Sequence, residues 1–404
     1  MTKTKYTALK KILELKPEKD DNNQQAALTH YLQGGDEEYL KMIAEEYLES
    51  YITKISTHKK SEPTKELLLP IQWDIPFPPP ENAKFKFIDL FAGIGGFRIA
   101  LQKFGGECVF SSEIDNAAKV TYDLNFGEVP FGDIKAFTSI NITNEILNKL
   151  IPDHDVLAAG FPCQPFSLAG VSARNFLGKE HGFNDDNQGN LFFDIMRIVD
   201  VKRPKVLFLE NVKNLKSHDG GKTFGTIKNI IEELDYSFSP EIINSQTLVP
   251  QRRERTYMVC FDTRIRNIKF KFPDFNGLPI PLKVILEPEV DESYTISEKL
   301  WLGHQNRSIR NRARGTGFTT KEADLDKPSN TIVARYYKDG KECLIPQEGK
   351  NPRKLTPLEC ARLQGYPDNF IYHKSRSAAY KQFGNSVSVP VIEKIFEDIQ
   401  KQFL

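Results

Sequence analysis

Residues 84–96 read Lys84-Phe85-Lys86-Phe87-Ile88-Asp89-Leu90-Phe91-Ala92-Gly93-Ile94-Gly95-Gly96, and this stretch decides the fold. KFKFIDLF is a short apolar run that ends in a glycine turn, which predicts a buried strand. The loop Phe91–Gly96 follows directly. Its glycines let the backbone turn sharply and let a ligand approach the main chain. The spacing is G-x-G-G, not the G-x-G-x-x-G of a dinucleotide site. A tight strand-to-helix turn would use the same glycines, so the loop alone leaves both readings open.

Downstream, strands and helices alternate. Residues 99–104 read as helix, CVFSSEI (108–114) as strand and 116–125 as helix. DVLAAGF (155–161) is strand, 191–200 helix, KVLFLENV (205–212) strand and 222–234 helix, and TYMVCF (256–261) closes the series. Such alternation predicts a doubly wound α/β domain with a mostly parallel sheet. Residues 1–80 read as a separate helical extension, with a linker at the four prolines of 76–80. That α/β domain is expected over 81–264. An irregular domain richer in Pro, Gly and Arg follows over 265–375, and an apolar helical segment, 376–404, returns to the first.

Composition narrows the function. Of 404 residues, 39% are hydrophobic and 27% charged, a globular balance. Basic residues number 55 and acidic 54, a net charge of +1, which excludes a uniformly basic nucleic-acid coat but permits a local patch. No apolar run approaches the ~20 residues that span a bilayer. MTKTKYTALKK lacks a signal core, so a cytoplasmic protein is expected. Five scattered cysteines without ligand spacing predict neither a disulfide scaffold nor a metal site.

Two acids strengthen the ligand reading. Glu113 ends the second expected strand, where a carboxylate can accept from two ribose hydroxyls. Asp133, in Gly132-Asp133-Ile134, falls where a third strand should end and can accept from an adenine amino group. Ligands of α/β sheets bind outside the carboxyl ends of the strands. A glycine loop and two carboxylates, without a second phosphate-binding feature, favour S-adenosylmethionine. Each acid taken singly could be a solvated strand end.

Cys163, in Gly160-Phe161-Pro162-Cys163-Gln164-Pro165, projects from a proline-flanked polar loop at the same sheet edge, where a reactive thiol would be placed. Cys108 and Cys260 lie in apolar strands and read as core. Glu210-Asn211-Val212 ends VLFLENV, and Glu210 follows an apolar run. Desolvation should raise its pKa and keep a proton available. Arg253 and Arg255, at i and i+2 on extended chain, should share a face and converge on a phosphate or on the nucleophile's substrate, unless they are a solvated charge run. Arg307, Arg310, Arg312 and Arg314 fall within eight residues, with no acid between Glu298 and Glu322, an electrostatic footprint for DNA. Arg335, Tyr336, Tyr337 and Lys338 form a second candidate contact.

In this order the segments resemble the C5-cytosine DNA methyltransferases over roughly 85–404. The matched elements are FAGIGG, Glu113, GDI, GFPCQPFS, QGNLFFD, ENV, QRRER, RLQGYP and QFGNSV. PCQPFSLAGVS, LGKEHGF, ENVKNLKSHDGGKTF, RARGTGF and ARYYKDG are similar to the Dcm-type branch, which methylates CCWGG, and to its CCNGG relatives. The resemblance implies a Rossmann-like S-adenosylmethionine-dependent methyltransferase fold with a smaller target-recognition domain. It implies Cys163 as nucleophile toward C6 of a flipped-out cytosine, Glu210 at N3, and Arg253 and Arg255 positioning the base. It places Phe91, Gly93, Ile94, Gly95, Gly96, Glu113, Ile114, Asp133, Ile134, Gly160, Pro162, Leu191, Asn385 and Ser386 at the cofactor, and Gln164 and Ser167 on DNA. The partners implied are duplex DNA, with the enzyme acting as a monomer, and functionally a cognate restriction endonuclease, with no membrane and no metal. RNA is the alternative substrate, and regulation of transcription through residues 1–80 the alternative role.

Overall fold

The computed structural model describes residues 4–56, 71–162 and 191–402. The chain divides into two compact units: residues 1–242, 256–272 and 397–404 make the first, and residues 243–255 and 273–396 the second. The helices used below are α1 (Tyr6–Ile12), α2 (Gln24–Leu32), α3 (Glu38–Ser56), α4 (Gly96–Lys103), α5 (Asn116–Phe126), α6 (Leu191–Lys202) and α7 (Lys222–Glu233), then α8 (Glu298–Arg314), α9 (Pro357–Leu363), α10 (Arg376–Asn385) and α11 (Val389–Gln402).

The deciding stretch forms strand β1 (Phe85–Leu90). It joins β2 (Gly106–Ser112), β3 (Val156–Gly160), β4 (Val206–Val212), β5 (Ser239–Asn244) and β6 (Glu254–Phe261) in one sheet of order β2-β1-β3-β4-β6-β5. β1 is parallel to β2 and to β3, and β3 to β4. Continuous apolar strands suit a sheet covered on both faces: Val156–Ala159 and Val206–Leu209 are fully buried. One core holds Ile88, Leu90, Leu157 and Leu207 of the sheet, Phe192, Ile195 and Val199 of α6, and Ile227 and Ile230 of α7. Local chemistry sets the helix bounds. Asp115 caps α5 by accepting from the N–H groups of Ala117 and Ala118, both at 3.0 Å, and Gly127, at φ 64, ends it. Among the described residues no helix is long and apolar enough to cross a membrane.

Three expectations change. The N-terminal residues are not a separate body, because Ala26, Ala27 and Leu40 belong to the same core as the sheet. Tyr6 donates to Asp123 at 2.7 Å, and Lys10 pairs with the same carboxylate. The proline segment is likewise pinned: the Phe77 N–H donates to Asn125 O at 3.0 Å, and Gln102 Nε2 donates to Pro78 O at 2.9 Å. The third strand expected before Asp133 shrinks to a single parallel bridge, Ser112 to Phe131. Finally, residues 376–396 fall in the second unit, and only 397–404 in the first.

In the second unit, α9 starts with a capping box between Thr356 and Glu359. Glu359 also takes both guanidinium arms of buried Arg353, at 2.7 and 2.8 Å.

Asp194, in the first turn of α6, is buried, and burial lifts its carboxyl from 3.8 to about 6. The folded chain therefore holds a proton that the unfolded chain releases. Stability from this group is full below the unfolded value and is lost as pH rises through about 6. Asp194→Asn keeps an acceptor for the Thr138 hydroxyl, now at 2.5 Å. It is expected to add ~1–2 kcal/mol of stability at pH 8 and almost nothing at pH 4. Urea midpoints at the two pH values measure this; an equal gain at both would refute the assignment.

Candidate active site

Sheet register assembles the edge of the site. Leu90 pairs with Ser112 on one side and Ala159 on the other, and Gly160 pairs with Glu210. One step beyond the paired level, Phe91, Glu113, Gly160 and Glu210 stand in a row at the carboxyl edge. A bulge contributes: the β1–β2 pairing shifts between Phe87–Cys108 and Ile88–Phe110, which brings Ser112 rather than Ser111 level with Leu90. β2 lies on one side of β1 and β3 on the other, so the crevice of a doubly wound sheet opens between the ends of β1 and β3. The glycine loop leaves one of these ends and the Gly160-Phe161-Pro162 segment the other.

The loop is held by Glu113. Its Oε2 accepts the Gly93 N–H and its Oε1 the Asp115 N–H, both at 2.7 Å. Burial raises this carboxyl above the ordinary range, against the pull of those donors. Each oxygen keeps a second acceptor direction. Phe91 has φ 56, a left-handed conformation that costs a bulky residue about 1–3 kcal/mol. Gly95, at φ 82, is required sterically, since a Cβ there would stand 2.2 Å from the Phe126 ring. Gly93, at φ 57, has open space where a Cβ would stand. Ile114 leaves 71% of its surface in solvent beside Glu113, and Asp133 is exposed. A bare backbone loop, an exposed apolar side chain and two carboxylates suit an adenosyl group. Ile94 and Ile134 are 2% exposed, so their side chains are core and only their main chains are open to a ligand role. Gly96 is the first residue of α4 and is buried.

At the other end, Phe161 is buried against Phe192, next to Leu191, which opens α6. Pro162 is exposed. Cys163, Gln164 and Ser167 lie outside the described residues. Glu210 is 8% exposed at the end of an apolar strand. Its neighbour Asn211, a residue the sequence reading passed over, donates from Nδ2 to Phe161 O at 2.9 Å. That bond ties β4 to the chain two residues before Cys163. The signal for it was an amide in an otherwise apolar strand end.

Beneath the glycine loop lies a buried polar cluster that the sequence reading also missed. Arg98 Nη1 is 2.8 Å from Glu128 Oε1, Arg98 Nη2 donates to Gln33 Oε1 at 2.9 Å, and the guanidinium lies over the Phe126 ring. Burial opposes ionisation of Glu128, but Arg98, with His30 and Ser111, outweighs it and holds the carboxyl below its ordinary range. Burial pushes Asp89, on β1, well above. An acid inside FKFIDLF was the visible hint.

The second unit carries the remaining candidates. Arg253 and Arg255 do not act as a pair on one face. Arg253 is 3% exposed, and its guanidinium donates to the carbonyls of Ile332 and Gly384, at 3.2 and 3.3 Å, and of Ser386. It anchors main chain. Arg255 is partly exposed and donates to Glu254 O at 2.9 Å. Asn385 ends α10 and is exposed, and Ser386 Oγ lies 2.5 Å from the Tyr366 hydroxyl. Gly384 is obligatory, because a Cβ would stand 2.3 Å from the Val333 backbone. Arg307, Arg310, Arg312 and Arg314 are all exposed on α8. Arg307, Arg310 and Arg314, at i, i+3 and i+7, share one side of it. Arg335 and Lys338 are exposed, but Tyr336 is not available to DNA. It is fully buried, with its hydroxyl donating to Cys343 O at 2.6 Å. Among the described residues no group of three or more His, Cys, Asp or Glu side chains is placed to hold a metal.

A mostly parallel sheet with helices on its faces defines an α/β, Rossmann-like fold. Residues 85–401 match the family described as C-5 cytosine-specific DNA methylase; the chain belongs to that family and is a DNA cytosine-5 methyltransferase. Among its relatives is the Type II methyltransferase M1.ScrFI of Lactococcus lactis subsp. cremoris, 50% identical over 339 residues, which are 81% of this chain and 82% of that protein. The DNA-cytosine methyltransferase of Escherichia coli K12 is 40% identical over 393 residues, covering 82% of each. The structure of S. pombe Dnmt2 methyltransferase matches with a TM-score of 0.60 at 17% identity, over 78% of this chain and 98% of that one, a likeness of fold.

Proposed function

We propose that the chain transfers a methyl group from S-adenosylmethionine to C5 of a cytosine flipped out of duplex DNA, as the modification partner of a restriction endonuclease. The target is the inner cytosine of CCWGG or CCNGG. The observation that carries this reading is the row of Phe91, Glu113, Gly160 and Glu210 at one edge, which sets a candidate cofactor carboxylate and a candidate proton donor on either side of the crevice.

The cofactor, when bound, supplies an electrophilic methyl on a sulfonium and departs as S-adenosylhomocysteine. Glu113 and Asp133 hold its hydroxyl and amino groups, and the backbone around Gly93 lies against it. A base inside a duplex cannot be reached, so it is extruded. The Cys163 thiolate bonds to C6 while Glu210 protonates N3, and C5 becomes electron-rich enough to accept the methyl. Water then removes the C5 proton, the C6–S bond breaks, the thiolate is restored and N3 returns its proton. Arg255 supports the charge of this assembly. The exposed arginines of α8 suit guanine edges in the major groove and phosphates.

Base-resolution mapping of methylcytosine on a mixed-sequence duplex, incubated with the protein and S-adenosylmethionine, tests this. The expected product is methylation at the inner cytosine of CCWGG or CCNGG, the central base deciding between them. Methylation at an unrelated site would overturn the target, and transfer only to RNA would overturn the substrate.

A further inference from the structure

Asn23 stands immediately ahead of α2 with φ 60, a left-handed conformation that asparagine tolerates better than most residues. Its Oδ1 accepts the main-chain N–H of Gly132 at 2.8 Å. Gly132 permits the approach, since a Cβ there would lie 3.3 Å from that oxygen. The next residue is Asp133, whose carboxylate accepts the Lys135 N–H at 3.1 Å.

The chain from Glu128 to Asp133 occupies the place of the missing third strand. Toward β2 it is held by two main-chain bonds, Phe131 N–H to Ser111 O at 2.9 Å and Glu113 N–H to Phe131 O at 2.8 Å. Its remaining polar groups need partners elsewhere. Asn23 and helix α2 supply two of them. Besides Asn23, Thr29 Oγ1 accepts the Val129 N–H at 2.9 Å. His30 reaches β2 itself, with Nε2 accepting the Ser111 N–H at 3.3 Å, two residues before Glu113. Asp20 fixes the start of the helix by accepting from the N–H groups of Gln25 and Ala26, at 3.0 and 2.9 Å.

We infer that Asn23 is a positioning residue for the cofactor: it holds Gly132, and so sets where Asp133 stands. The family match begins at residue 85, so this brace comes from outside the matched residues. The inference rests on the reading of Asp133 as the acceptor for adenine.

Two substitutions separate the contact from the fold. Asn23→Gly keeps the left-handed backbone and removes the acceptor; Asn23→Asp keeps both. Calorimetric titration of the full chain with S-adenosylmethionine is the primary readout. Loss of one hydrogen bond should raise Kd about 3- to 10-fold in Asn23→Gly, with Asn23→Asp restoring most of the affinity. Affinity for duplex DNA and kcat at saturating cofactor should stay within about twofold, as a positioning role demands. Wild-type cofactor affinity in Asn23→Gly, or equal loss of cofactor and DNA affinity, would overturn the inference. Asp133→Ala is the separate control. If it binds the cofactor normally, the reading of Asp133 falls, whatever Asn23 does. Should Asn23→Gly fail to fold, Gly132→Ala crowds the same contact from the opposite side and should show the same selective loss.

Discussion

Cys163→Ala is expected to abolish methyl transfer and to leave binding of the DNA site within about threefold. The expected loss is at least ~10⁴-fold, because without the thiolate C5 of cytosine is a poor nucleophile. None of the described cysteines can stand in. Cys108, Cys260, Cys343 and Cys360 are all buried. Burial pushes every one of these thiols up, Cys343 to about 12, so none supplies thiolate at neutral pH. The chain leading to Cys163 is held at Gly160 and Phe161. β3 ends level with β4, and Asn211 holds the Phe161 carbonyl. Transfer of labelled methyl, with gel retardation on the same duplex, measures both quantities. DNA carrying 5-fluorocytosine, whose C5 has no proton to release, should retain the wild-type chain covalently but not the variant. Turnover that survives the substitution would assign the nucleophile elsewhere.

Much of this edge was legible in the sequence because parallel strands write continuous apolar runs. KFKFIDLF, DVLAAGF and KVLFLENV were found for that reason, and the acids that end such runs necessarily fall at the carboxyl edge. Failures have equally local causes. Arg253 and Arg255 were placed on one face by the two-residue period of a strand. β6 begins at Glu254, so the period does not reach Arg253. In ARYYKDG a short helix, Tyr336–Asp339, turns one tyrosine into the core and the next toward solvent, a division that composition does not reveal. The N-terminal helices were seen as helices, but what they cover depends on contacts made about a hundred residues away. Thr29 to Val129 and Asn23 to Gly132 are such pairs, and side-chain oxygens meeting backbone leave no periodic trace. The Arg98–Glu128 pair escaped for the same reason. A buried charge is recognisable only once its partner is in place.

Glu210→Gln is expected to lower kcat by about 10²- to 10³-fold, the range of a lost general acid. It should change affinity for cofactor and DNA by less than about threefold. The substitution is close in shape, so the fold should accept it: Glu210 follows the four fully buried residues Val206–Leu209 of β4 and is itself 8% exposed. Glutamine can still hydrogen-bond to N3 but cannot deliver a proton to it, so the variant separates holding the base from protonating it. Register places Glu210 opposite Gly160, at the end of the strand that leads in sequence to Cys163. Single-turnover rates of methyl transfer should therefore fall, while Cys163 still forms its bond to the base. A variant with full kcat would remove Glu210 from the chemistry. One with normal kcat but a raised KM for cofactor would move it into cofactor binding, with Glu113, and leave N3 to a donor from another element.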